Sequence, residues 1–172
     1  MNMTSVALCY FVTTTSIDML ISGIKLGTTS IVSVLSNLSK YDSNSNIKEI
    51  HLEIKKMDLE FILNVIHQLI NDLSDNDLNN TPQQDIQQQT HGFALSLHGY
   101  TNTIKIVLHG INDVITKIDN ELQIFKNECD NYNNKYFSSW RSFNYDIKPL
   151  IEHHKLLLSR YNILISLLQI KN

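Results

Sequence analysis

From Leu97 to Tyr136 one set of positions recurs in alternating steps of four and three without a break: Leu97, Thr101, Ile104, Leu108, Ile111, Ile115, Ile118, Leu122, Phe125, Cys129, Tyr132 and Tyr136. That spacing is one face of a long α-helix meeting its neighbours at a shallow angle. Lys105, Asn112, Asp113, Asn120, Glu121, Asn127 and Asn134 fall off the seam, which leaves the opposite side to water. A helix of about 40 residues at about 1.5 Å per residue is about 60 Å long, several times the usual length in a globular domain. Such a helix needs other helices to cover it, and the rest of the chain supplies matching stripes.

Ile17, Leu20, Ile24, Gly27, Ile31, Val34 and Leu38 step by threes and fours and predict a first helix from about Ser16 to Ser39. Gly23 and Gly27 lie four residues apart on it, where small residues let another backbone approach closely. Ile17, Leu20, Gly23, Ile24 and Gly27 are therefore the candidate face for helix packing or for lipid. The preceding stretch, Ser5 to Thr15, is β-branched and aromatic, and with no strand to pair with it is expected to continue the helix or form a short one of its own. Tyr41 to Asn46 reads as a polar turn whose Asn and Ser residues cap the next helix. That second helix is expected from Ile47 to Leu73, with Ile47, Ile50, Ile54, Met57, Phe61, Val65 and Leu69 as its core stripe, widened by Ile62, Ile66 and Leu73.

Residues 74–91 are acidic, amide-rich and interrupted by Pro82, and read as a polar, mobile connection. The seam helix comes next. Beyond it, Asp146 and then Pro149, in a first-turn position where its missing donor costs little, open a last helix to about Gln169. Its stripe is Ile147, Leu150, His154, Leu157, Tyr161, Leu164 and Leu168, and a second row of Ile151, Leu158 and Ile165 predicts deep packing. The expected fold is a single all-α domain over residues 1–172, a four- to five-helix bundle of long antiparallel helices with a long third helix. With 5 Gly and 2 Pro the chain has too few turn formers for a β-sandwich or barrel.

The net charge of −3 gives no electrostatic footprint for nucleic acid. The two cysteines, Cys9 and Cys129, sit within apolar patterns far apart in sequence, so free buried thiols in a reducing, cytoplasmic compartment are expected. Met1 to Ile24 carries one charge, Asp18, but hydroxyl residues interrupt it, so it makes a poor membrane span, and it lacks the basic start of a secretory signal. His91, His98 and His109 are too far apart along a helix to share a metal, and no His-Glu-x-x-His, phosphate-binding loop or nucleophile-elbow pattern occurs. No catalytic, metal or cofactor site is expected, and the chain reads as non-enzymatic, with an enzyme of unrecognised site as the third alternative.

The most concentrated local signal is the corner after the seam, where Tyr136, Phe137, Trp140, Arg141 and Phe143 fall within eight residues. It is either a partner anchor, since Trp, Tyr and Arg dominate interface energetics, or a plug for the end of the bundle. A protein partner is expected, with a second copy of the chain and a membrane surface as the alternatives.

The weakly charged first helix with Gly23 and Gly27, then the Ile47–Leu73 helix and a long central one, resembles the HeLo-like helical bundles. These are N-terminal domains of fungal and plant cell-death proteins, and the bundle of the mixed-lineage kinase-domain-like protein is similar. The resemblance implies an all-α bundle with an adaptor or membrane-perturbing role, no cofactor and no catalytic residues. This chain departs from the pattern in having no pronounced basic cluster for a lipid surface.

Overall fold

The structure, a computed structural model, describes residues 16–78, 91–134 and 143–169, with side chains described over 16–72, 102–134 and 143–169. Among them are five α-helices and no strand: α1 (Ile17–Asn37), α2 (Ser45–Lys56), α3 (Leu59–Leu78), α4 (His91–Asn133) and α5 (Lys148–Gln169), with a 3-10 turn at Leu38–Tyr41. The bundle class expected from the periodicities is the fold observed.

Local chemistry sets most of the helix ends. Ser16, extended at φ −72° and ψ 154°, accepts from the Met19 amide and caps the start of α1, while residues 5–15 lie outside the described residues. Asn44 accepts from the Asn46 and Ile47 amides and caps α2, as the polar turn predicts. Asp146 accepts from the Lys148 amide ahead of α5. The connection expected over 74–91 is shorter at both ends, because α3 continues to Leu78 and α4 already begins at His91.

The expected Ile47–Leu73 helix is two helices. Lys55 and Lys56 end α2 in its last turn, where cations meet the negative end of the helix dipole, and Asp58 takes the left-handed conformation at φ 51°. The chain then re-enters a helix with its apolar face shifted by one to two positions. Leu59, Leu63, Ile66 and Ile70 are buried, whereas Phe61 is 62% exposed and Val65 half-buried. Phe61 therefore drops out of the stripe drawn from an unbroken helix, Leu69 stays at the core's edge, and the seam helix becomes the fourth in order rather than the third.

The seam supplies the centre of the core. Ile104, Leu108, Ile111, Ile115, Ile118, Leu122, Phe125 and Cys129 are all buried, joined by Val114. Each fully buried aliphatic side chain is worth about 1.5–3 kcal/mol. α4 lies between α1 on one side and α5 on the other, and α1 also packs on α3. α4 and α5 form the expected antiparallel hairpin: Tyr145 donates to the Glu121 carbonyl at 3.0 Å, and further along Arg160 donates to the Gly110 carbonyl. α1 and α4 instead run in the same direction. Their contacts advance together, Gly23 with Asn112, Gly27 with Ile115, Ser30 with Asp119 and Tyr41 with Asp130, always 88 or 89 residues apart. α5 is less deeply packed than its two apolar rows suggest. Leu150, Leu157 and Leu164 are buried, but Ile151, Leu158 and Ile165 are only half covered.

Candidate functional site

The Gly23–Gly27 face is occupied by the chain itself. A Cβ on Gly23 would sit 2.7 Å from the Asn112 Oδ1, and one on Gly27 would sit 2.5 Å from the Ile115 Cγ2. One turn on, the Ser30 hydroxyl donates to Asp119 at 2.8 Å. The small residues thus let α1 close on α4. Leu20 and Ile24 point into the core behind them, and Ile17 packs on its edge. What remains open on this side is a shallow groove lined by Gly23, Leu26, Gly27, Ser30, Asn112, Thr116 and Asp119, with Leu26 standing 74% exposed at its rim.

The lower end of this contact is polar. Tyr41 Oη donates to Asp130 Oδ1 at 2.5 Å, Lys40 Nζ reaches the same oxygen at 3.2 Å, and Lys40 lies over the Tyr41 ring. The Tyr41 hydroxyl bond, then Lys40, hold the Asp130 carboxyl below the usual carboxylate range. These contacts tie the 3-10 turn to the end of α4.

Of the aromatic corner, Tyr136, Phe137, Trp140 and Arg141 lie outside the described residues. Phe143 is half-buried and meets the Tyr132 ring edge-on at 5.3 Å and the Phe125 ring at 6.1 Å, and Tyr145 stacks at a tilt on Phe125 at 4.9 Å. At Phe143, then, the corner closes the hydrophobic end of the α4–α5 hairpin. Beneath it Cys129 is fully buried, and burial pushes its thiol up to about 12.

One polar arrangement was missed from sequence. His51 is 2% exposed, and its Nδ1 meets Asp42 Oδ1 at 2.6 Å. That hydrogen bond is the main reason the Asp42 carboxyl lies below its ordinary range. His51 lines a groove of about 370 Å³ where the end of α1 meets the α2–α3 junction, together with Leu35, Ser36, Ser39, Ile54, Lys55, Asp58, Leu59 and Glu60. With Nδ1 engaged, Nε2 is the ring nitrogen left for anything entering the groove. Ser36 already donates to the Ser33 carbonyl. The signal was present: His51 falls between Ile47 and Ile54 on an apolar stripe, nine residues after an acid in a turn.

The apolar side chains left outside the core cluster by helix. Met19 and Leu26 stand one heptad apart on α1, and Leu156 and Ile163 one heptad apart on α5; Ile106 and Ile124 are exposed on α4, Leu52 on α2 and Phe61 on α3. Arg160, between Leu156 and Ile163, crosses to the Gly110 carbonyl and to within 3.7 Å of Asp113. That contact brings Ile106, one turn before Gly110, level with Ile163, one turn after Arg160.

No protein family, curated protein or solved structure matches the chain. Its surfaces are therefore what bears on function.

Proposed function

We propose that the protein is a non-enzymatic interaction module, a helical bundle that docks a partner protein on apolar side chains its own core leaves outside. The observation that carries this reading is the outer side of the α4–α5 hairpin. There Leu156 and Ile163 are 38% and 49% exposed at heptad spacing, with Ile106 exposed on the neighbouring helix and the Arg160–Asp113 pair between them. Scattered single apolar residues need no explanation, but a heptad pair flanking a fixed charge is what an amphipathic partner helix reads. The test is proximity labelling in the native cell with the wild-type chain and with Leu156→Glu/Ile163→Glu, both checked for unchanged helicity. Loss of a discrete set of neighbours in the variant is the expected result. Identical neighbours for both chains overturn it.

A second reading, an adaptor or membrane-perturbing bundle of HeLo-like kind, draws on α1. Continued through Tyr41, α1 is long and apolar enough to cross a membrane, with a mean hydropathy of 1.4 and a third of its most apolar window buried. Core helices pass the same criterion. Deleting residues 1–40 would remove a helix packed on both α3 and α4, so vesicle flotation should instead compare the full chain with Met19→Glu/Leu26→Glu, which alters only exposed positions. Flotation of the first and not the second supports lipid contact through α1. Flotation of neither removes this reading.

A further inference from the structure

The groove between the end of α1 and the α2–α3 junction is built around a histidine with one nitrogen to spare. The His51 side chain is 3% exposed, and its Nδ1 is turned to Asp42, which does not itself line the groove. The Asp42 carboxyl is held ionised and can only accept, so Nδ1 carries the proton and the neutral ring presents the Nε2 lone pair to the groove. Among the described residues no hydrogen bond reaches Nε2. An acceptor this enclosed is incompletely solvated, and a ligand that brings it a donor gains accordingly.

Most other polar groups of the groove are acceptors too. Ser36 directs its hydroxyl proton at the Ser33 carbonyl, which leaves it lone pairs to offer. Asp58 and Glu60 bring carboxylates that form no ion pair with any described residue. Lys55 is the one cation among the lining residues, and its charge also acts on Asp42. α1 and α2 both end here, bringing the negative ends of two helix dipoles, whereas the positive end of α3 already has Glu60 in its first turn. Leu35, Ile54 and Leu59 supply the apolar part of the lining, and the volume of about 370 Å³ is that of a small-molecule site. Such a groove suits a ligand that is positively charged and rich in donors at one end and apolar at the other. A metal ion suits it less, because no three ligating side chains come together among the described residues.

We infer that this groove binds a primary alkylamine in its ammonium form, the N–H groups donated to His51 Nε2 and to the carboxylates of Asp58 and Glu60, and the alkyl stem laid along Leu35, Ile54 and Leu59. An ammonium has three donors and no acceptor, the complement of those three groups. A free amine and the side chain of a lysine in another protein share this chemistry. The inference goes beyond the proposed function and does not depend on it.

The test is a titration of the full chain with n-butylammonium at about 0.15 M salt, followed by the amide NMR shifts of residues 35–39 and 51–60. Butanol and butyrate are the matched probes without the positive charge, and butylammonium should bind about tenfold tighter than either. Asp58→Asn should weaken it by about tenfold while keeping the fold, since Asn accepts the left-handed backbone found there. His51→Asn sets an amide nitrogen where Nδ1 meets Asp42 and leaves nothing at Nε2, and a similar loss is expected. Should that variant lose helicity, Glu60→Gln, at an exposed position, takes its place. Asp18→Asn removes the same charge at the far end of α1 and should leave binding unchanged. A lysine-containing tripeptide blocked at both ends separates the two sources. Tighter binding of the peptide assigns the site to a protein's lysine, and tighter binding of butylammonium to a free amine. Preference for butyrate overturns the inference, as does equal weakening by Asp18→Asn and Asp58→Asn, or a groove whose amides shift with none of the probes.

Discussion

At the scale of single residues, the two glycines of α1 do different jobs despite their shared face. The Cβ of Gly23→Ala meets the end of the Asn112 side chain, which can swing aside, so the gain in helix propensity, about 1 kcal/mol, should be largely kept. The Cβ of Gly27→Ala meets the Cγ2 of Ile115, a β-branched side chain held to one rotamer in a helix and itself fully buried. Overpacking of this kind costs about 1–3 kcal/mol, enough to outweigh the propensity gain. Urea unfolding should therefore rank Gly23→Ala at or above wild type and Gly27→Ala below it. The opposite order would mean that α1 and α4 do not close on this stripe.

At the scale of elements, the break at Met57–Asp58 decides which residues of the second apolar run matter. Phe61→Ala should change stability by no more than about 0.5 kcal/mol, as an exposed substitution does, whereas Leu63→Ala should cost about 2–5 kcal/mol from lost burial and the cavity left behind. A stability scan in urea separates them, and a large loss at Phe61 would restore the unbroken helix. This is also where the sequence stopped being legible. Long stripes with polar caps, such as Ser16 ahead of α1 and Asn44 ahead of α2, can be read because periodicity and capping act locally. The break could not, because Asp58 gives little warning of a left-handed conformation and Ile62 and Ile66 fit both phases of the stripe. The direction of α1 against α4 was equally hidden. A glycine stripe announces close approach without saying from which element, and the 89-residue pairing of Gly23 with Asn112 exists only in three dimensions. His51 escaped for a related reason, since its partner Asp42 belongs to a different element.

At the scale of the whole molecule, several separate contacts make the bundle acid-labile. Burial holds His154 below its ordinary value against an opposing pull from the Met57 backbone, so the unfolded chain takes up that proton first and stability falls as pH drops below about 6.5. Asp42 and Asp130 are held low chiefly by His51 and Tyr41, and Asp113 by Lys117 and Arg160 against the effect of its own burial. Their contribution is present above about pH 4 and is lost as pH falls through the folded values. The urea midpoint should therefore decline in two stages, one between about pH 7 and 5 and one below about 4. His154→Gln should flatten the first stage and Asp130→Asn shrink the second. A midpoint that rises on acidification would contradict both.

The pairing of α1 with a helix some 89 residues downstream also sets an order of events during synthesis. A ribosome adding about 5–20 residues per second needs about 5–20 s to make the partner after α1 has been made. Throughout that interval the most apolar of the described helices has no α4 to close upon, and of the helices that pack on it only α3 has been made. The bundle is thus completed late, when the far end of its longest helix leaves the ribosome.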